Sequence, residues 1–222
     1  MYIETHWEWK THQPLIQLMM TSFKPQLVVE LGMGFNSTSL FLSYQPQEYI
    51  GIDNDKAWLE LVQSKFTFKP EYKVLLHDLG DPLIVNTTSI NVISNEQRFR
   101  NFLYYQKLRQ GIEKGSTYPR LLFVDNFACL RSQSIKVLHE AFDIILYHDC
   151  QPDGVKQYGY YFQDIIDSGF EFYILKSPIS WTGCLLRPEL DFTQTELKGN
   201  IHRFIRIFEL INKIEGLYLE KQ

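Results

Sequence analysis

Residues 26–37, Gln-Leu-Val-Val-Glu-Leu-Gly-Met-Gly-Phe-Asn-Ser, join an apolar run to a carboxylate, Glu30, and two glycines, Gly32 and Gly34, ahead of a polar helix start. Glycine lacks a Cβ, so the backbone can turn sharply there and bring its N–H groups close to a bound molecule. The next apolar run, Tyr49-Ile50-Gly51-Ile52, ends in Asp53. That carboxylate falls roughly 20 residues past the first glycine, the position from which a Rossmann-type unit grips a ribose hydroxyl. Ser37 stands where a dinucleotide fingerprint needs its third glycine, and Glu30 would repel pyrophosphate but suit a cation. The pattern predicts a ligand that combines a ribose with a positive charge and has no diphosphate, with Glu30, Gly32, Gly34, Asn36, Ser37 and Asp53 around it. Later apolar runs end in Asp78, in Asp125-Asn126 and in His148-Asp149, which supply further carboxylates and an imidazole.

Positioning such groups requires strands that end along one edge of a sheet. Helical spacing is predicted from about Pro14 to Phe23, after the glycine turn through Leu40 and Phe41, and from Lys56 to Phe66 through Leu59 and Val62. Strands are predicted at Tyr72 to His77, Leu121 to Val124 and Ile144 to Tyr147, with a helix marked by Ile135, Leu138 and Phe142 between the last two. A helix from Tyr158 to Ser168 then precedes strands at Phe170 to Leu175 and Trp181 to Leu186. Their short connection permits a hairpin but no parallel crossover. The alternation predicts an α/β fold, a Rossmann-like doubly wound sheet that is mostly parallel with an antiparallel last strand and helices on both faces. Residues 1–222 read as one domain, with an N-terminal helical extension at 1–25 and a C-terminal helix at 195–222 whose stripe suits packing or a homodimer contact. Residues 80–119 form an insertion or lid, too long for a simple connection, with a helix around Glu96 to Arg109 whose Phe99, Phe102, Leu103 and Tyr105 suit core packing.

The 222 residues suffice for one buried core, and 45% hydrophobic with 22% charged residues is the balance of an ordinary globular chain. A net charge of -4 argues against sequence-blind attraction to nucleic acid and favours a small-molecule substrate. Cys129, Cys150 and Cys184 show no metal-knuckle or disulfide spacing. Neither an apolar signal core nor a membrane-length apolar run is visible, so a cytoplasmic protein without membrane contact is expected.

The chain resembles the class I S-adenosylmethionine-dependent methyltransferases through Glu30-Leu31-Gly32-Met33-Gly34, Asp53 and Leu76-His77-Asp78-Leu79. The resemblance implies S-adenosylmethionine as cofactor, a ribose-bearing sulfonium without diphosphate. It implies that the glycine segment cradles the methionine and ribose portions, that Asp53 holds both ribose hydroxyls and that Asp78 meets the adenine amine. Phe35 and Asn36 depart from the small residues usual after the second glycine.

Methyl transfer from sulfur is an in-line displacement with a good leaving group, so the protein must mainly align a nucleophile and deal with its proton. The ends of the fourth and fifth strands should converge beside the sulfonium, and two routes are open. Asp125 and Asp149 could bind Mg²⁺, which would lower the pKa of a substrate hydroxyl. This is similar to catechol-type and sugar-type O-methyltransferases, although Cys150 replaces their usual extra oxygen ligand. Alternatively, His148 serves as a metal-free base, its ordinary pKa lying near 6.5. Tyr158, Tyr160 and Tyr161 are candidates for an aromatic substrate pocket or for half-exposed helix positions. The expected function is O-methylation of a small molecule. A non-catalytic partner domain and a nucleic-acid methyltransferase are the alternatives, the latter without an Asn-Pro-Pro-Tyr-type loop or Pro-Cys segment to support it.

Overall fold

Pro14 opens the first helix, α1 (Gln13–Phe23), and Pro25 follows its end, as a fixed φ and a missing N–H require. The computed structural model describes residues 10–80, 93–115, 118–187, 190, 206, 209 and 216–222. Strand β1 (Leu27–Leu31) runs through Gly32 into α2 (Phe35–Tyr44), followed by β2 (Glu48–Asp53) and α3 (Lys56–Lys65). The Asp55 carboxylate caps α3 by accepting from the Trp58 backbone N–H at 3.0 Å. After β3 (Lys73–Leu76) comes α4 (Asn95–Glu113), opened by a capping box between Ser94 and Gln97. Strand β4 (Arg120–Val124), α5 (Arg131–Leu138) and β5 (Ile144–His148) complete the alternating part.

The helix expected from Tyr158 to Ser168 is instead two short ones, α6 (Pro152–Tyr158) and α7 (Gln163–Asp167). Gly159 separates them at φ +68, a left-handed conformation that stops a helix and that glycine adopts at little cost. Strands β6 (Glu171–Lys176) and β7 (Thr182–Leu186) form the expected hairpin. The C-terminus departs from expectation, because Tyr218–Lys221 is a strand, β8, antiparallel to β6. The helix expected at 195–222 lies outside the described residues except for Arg206 and Glu209, which are helical, and residues 216–222, which are not. Within the expected insertion, residues 81–92 also lie outside them.

The sheet has the order β3-β2-β1-β4-β5-β7-β6-β8. Strands β1 to β5 are mutually parallel, and β7 runs antiparallel between β5 and β6. Every residue of β1, β4, β5 and β7 is buried, which explains their continuous apolar runs. Leu15, Phe41 and Leu59 from α1, α2 and α3 fill the core on one face, while Tyr105, Ile135 and Ile165 from α4, α5 and α7 fill the other. Each such fully buried side chain contributes roughly 1.5–3 kcal/mol. Among the described residues no helix is long and apolar enough to cross a membrane.

Neighbouring strands β1 and β4 send their following helices to opposite faces, so a crevice opens beyond their carboxyl ends. The antiparallel side is held by close packing. Gly183 pairs with Tyr147, and a Cβ on it would lie 2.2 Å from the tyrosine Cζ. That ring is confined by Tyr160 and Phe162. Gly183→Ala is therefore expected to destabilise the fold by about 1–3 kcal/mol in urea unfolding; an unchanged midpoint would mean that the ring can yield.

Candidate functional site

The crevice is a cleft of about 790 Å³. Its walls include the turn from Gly32 to Ser37, then Asp53 and Asp55 beyond β2, Asp78 beyond β3, and Asp125 and Asn126 beyond β4. Six of the sequence candidates for cofactor contact, Gly32, Gly34, Asn36, Ser37, Asp53 and Asp78, thus share one wall. Gly32 has φ +83, and a Cβ there would fall 2.3 Å from the Asp125 carbonyl oxygen. Its glycine is required by the chain crossing behind it as much as by any ligand in front.

Asp53 is 7% exposed and clamps the turn from below. Its Oδ2 accepts from the Met33 N–H at 3.0 Å and its Oδ1 from Asp55 N–H at 2.9 Å. Burial raises its pKa to about 6 against the pull of these backbone donors. Trp58 closes the clamp, donating its indole N–H to the Met33 carbonyl at 2.6 Å. Asp78 is exposed and accepts from the Gly80 N–H at 2.8 Å.

Glu30 does not face a ligand, which corrects the sequence expectation. It is completely buried and absent from the cleft wall. Ser37 Oγ donates to its Oε1 at 2.5 Å, Thr38 Oγ1 to its Oε2 at 2.9 Å, and the Tyr49 hydroxyl also donates to Oε2. The carboxylate therefore ties β1 to the start of α2 and to β2, and it touches the cleft wall through Ser37 and the Gly34 N–H. Burial outweighs these donors and raises its pKa to about 7. Negative charge on the wall comes instead from Asp53, Asp55, Asp78 and Asp125, set against Lys56 and Arg131.

The ends of β4 and β5 converge as expected, but the grouping differs from a metal pair. The Arg131 guanidinium sits between the two acids, with Nη2 2.7 Å from Asp125 Oδ1 and Nη1 2.7 Å from Asp149 Oδ2. Ser180 Oγ donates to the other Asp149 oxygen at 2.7 Å. Both Asp149 oxygens are thus engaged and an organic cation occupies the gap, so Mg²⁺ does not fit between Asp125 and Asp149. Burial would raise both carboxyls, yet Arg131 and His148 hold Asp125 at about 2 and Asp149 below its ordinary value.

His148 and Asp149 lie behind Asp125 and do not line the cleft. His148 is 7% exposed; its Nε2 lies 2.9 Å from Thr11 Oγ1 and 3.1 Å from Ser180 Oγ, and its Nδ1 lies 3.5 Å from both Asp125 and Asp149. Enclosed in this way, it cannot receive a proton directly from a molecule in the cleft, which corrects its expected role as base. Burial lowers its pKa, but the flanking carboxylates outweigh that and raise it. The tyrosine cluster is also displaced from the cleft: Tyr160 is buried and donates to the His148 carbonyl, Tyr158 lies beneath Arg131, and Tyr161 is exposed. In α4, Tyr105 is buried and accepts from Asn126, whereas Phe99 and Leu103 are exposed.

His12 lines the cleft and was not among the sequence candidates. It is 3% exposed, and among the described residues neither ring nitrogen has a hydrogen-bond partner. Burial, then the positive charge of His148, lower its pKa to about 3, so the imidazole is neutral. Arg131 was likewise missed. His12 meets residues more than a hundred positions along the chain, whereas Arg131 lies close in sequence to Asp125 and Asn126 but bridges Asp125 to Asp149 only when β4 and β5 stand side by side.

The fold has solved counterparts. A methyltransferase-like protein from Silicibacter pomeroyi DSS-3 matches with a TM-score of 0.51 at 14% identity, covering 85% of this chain and 92% of that one. N-methyltransferase NodS from Bradyrhizobium japonicum WM9 matches with 0.50 at 10% identity, covering 82% and 97%. No protein-family model and no curated protein matches by sequence. The chain has the Rossmann-like fold of the class I methyltransferases.

The enclosed Glu30 gives a pH test. Its folded pKa of about 7 exceeds the reference 4.5, so the folded state binds more protons than the unfolded state between those values, and stability falls as pH rises through that window. In urea unfolding, Glu30→Gln should lose this component, changing the wild-type-to-variant difference by roughly 3 kcal/mol between pH 4.5 and pH 8. Parallel profiles for the two proteins would mean that Glu30 stays ionised throughout.

Proposed function

We propose that the protein is an S-adenosylmethionine-dependent methyltransferase acting on a hydroxyl of a small molecule. One observation carries this reading: three successive strand ends deliver the glycine turn, Asp53 and Asp78 to a single wall of one cleft. The fold supports it, because strand ends beside a topological switch point are where such sheets bind nucleoside ligands. When bound, the cofactor would supply an electrophilic methyl group on a sulfonium.

The residues fit that cofactor. Asp53 has a spare lone pair beyond its backbone donors Met33, Asn54 and Asp55 and would accept from the ribose hydroxyls. Asp78 would accept from the adenine amine, and Asn36 and Ser37, in the first turn of α2, would meet the methionine carboxylate. Four acids against two cations on the wall favour a cationic nucleoside over a diphosphate. Asp125, held ionised by Arg131, lies beyond the glycine turn where the positive centre would be attracted.

His12, Asp125 and Phe127 line the same cleft and would form the acceptor end. A cleft of about 790 Å³ holds a nucleoside cofactor and a small second molecule, which favours a small acceptor over a nucleic acid. The formal charge of -4 acts in the same direction.

Calorimetric titration with S-adenosylhomocysteine tests the reading. The wild type should bind one equivalent, and Asp53→Ala should weaken binding by about 1.5–3 kcal/mol through loss of charge-assisted hydrogen bonds. Absence of binding to the wild type would overturn the proposal, and unchanged affinity in the variant would remove Asp53 from the ribose site.

A further inference from the structure

We infer that His12, Asp125 and His148 form a binding site for one divalent transition ion of the zinc type at the inner end of the cleft. The three side chains offer two imidazoles and one carboxylate whose ligand atoms all lie within 4.8 Å of one another. His148 Nδ1 and Asp125 Oδ1 are 3.5 Å apart. Ligands about 2.1 Å from a common tetrahedral ion lie roughly 3.4 Å from one another, so this pair already has the required separation. Only the His12 ring would have to approach, by about an ångström.

His12 supplies the independent indication. A buried imidazole with both nitrogens unpartnered is costly unless something completes its contacts, and among the described residues no group does. Its ring stands edge-on to His148, with centroids 5.1 Å apart. A metal ion between the two rings would satisfy a lone pair that is otherwise orphaned.

The surroundings are arranged as supports for such ligands. With Nδ1 given to the ion, His148 keeps Nε2 for Thr11 and Ser180, whose hydroxyls fix the ring. Arg131 Nη2 lies 2.7 Å from the same Asp125 Oδ1, so the ion would take a remaining lone pair of that carboxylate while the guanidinium holds the other. Asp125 and Asp149 face the site against Arg131, and the ion would take the place of the proton on His148 Nδ1 between the two carboxylates. Two nitrogen ligands select against Mg²⁺ and for zinc-like ions. Because His12 and Asp125 line the cleft, a fourth coordination position would open toward it, available to water or to an acceptor oxygen.

This site rests on side chains of the inner cleft and not on the cofactor reading, so the two can fail separately. The full chain, stripped with chelator, would be titrated calorimetrically with zinc chloride and spectroscopically with Co²⁺. One ion per chain is expected, with visible cobalt bands of a four- or five-coordinate site. Removing an outer-shell partner weakens metal binding by about 10–100-fold, so loss of a ligand in His12→Gln should exceed about 100-fold. His139→Gln, on the half-exposed side of the 3₁₀ turn after α5, should leave binding unchanged. No stoichiometric binding by the wild type, or equal binding by His12→Gln, would overturn the site. Should that variant not fold, pulsed electron paramagnetic resonance of the Cu²⁺-loaded wild type decides: two imidazole ligands support the site, and one or none overturns it.

Discussion

The contact between Gly32 and the Asp125–Asn126 peptide sets the geometry on which everything else rests. Strands β1 and β4 are neighbours, and the segments leaving them part at this point toward α2 on one face and α5 on the other. A Cβ at Gly32 would collide with the Asp125 carbonyl, so only glycine allows the two backbones to lie this close before they diverge. The crevice is the consequence. One of its walls comes from the first half of the sheet, with the glycine turn, Asp53 and Asp78. The other comes from the second half, with Asp125, Asn126 and Arg131.

Charge is divided between the interior and the cleft in a way that local sequence hides. Glu30 spends its carboxylate on Ser37, Thr38 and Tyr49, and so acts as a pin between β1, α2 and β2. Ser37, which lines the cleft, is oriented by a group that does not. Asp125 and Asp149 are similarly committed, bridged by a guanidinium that also donates from Nε to the Asn126 carbonyl. Unpaired buried charges are costly, and Glu30, Asp53, Asp125 and Asp149 each have donors or a cation. The cleft then retains carboxylates that are partly free, and these decide what sign of ligand it attracts.

Elements far apart in the chain meet at the inner end. Thr11 and His12 come from the approach to α1, Asp125 from just beyond β4, Arg131 from α5, His148 from β5, and Ser180 from the turn before β7. The segment leading into α1 is therefore part of the site, since Thr11 and His12 stand beside His148 and Asp125. The antiparallel hairpin contributes in the same way, because Ser180 fixes both His148 and Asp149.

By itself the sequence determined the alternating order of strands and helices, the hairpin at 170–186, and the positions of Gly32, Asp53, Asp78 and Asp125 at strand ends. These follow from period, turn chemistry and length, which act between residues close in the chain. A C-terminal strand escaped that reading because Tyr218–Lys221 is too short for periodicity to mark and exists through pairing with β6. Tertiary structure alone decided which way polar side chains point. Glu30 sits on a strand whose two faces are both buried, so its position in β1 could not reveal whether it met a ligand or the core. His12 and Arg131 became site residues only when separate elements packed together, and Arg131 removed the metal pair by filling its place. Electrostatic contacts act over a few ångströms in space, whatever the distance along the chain, and the site was legible only where the two coincide.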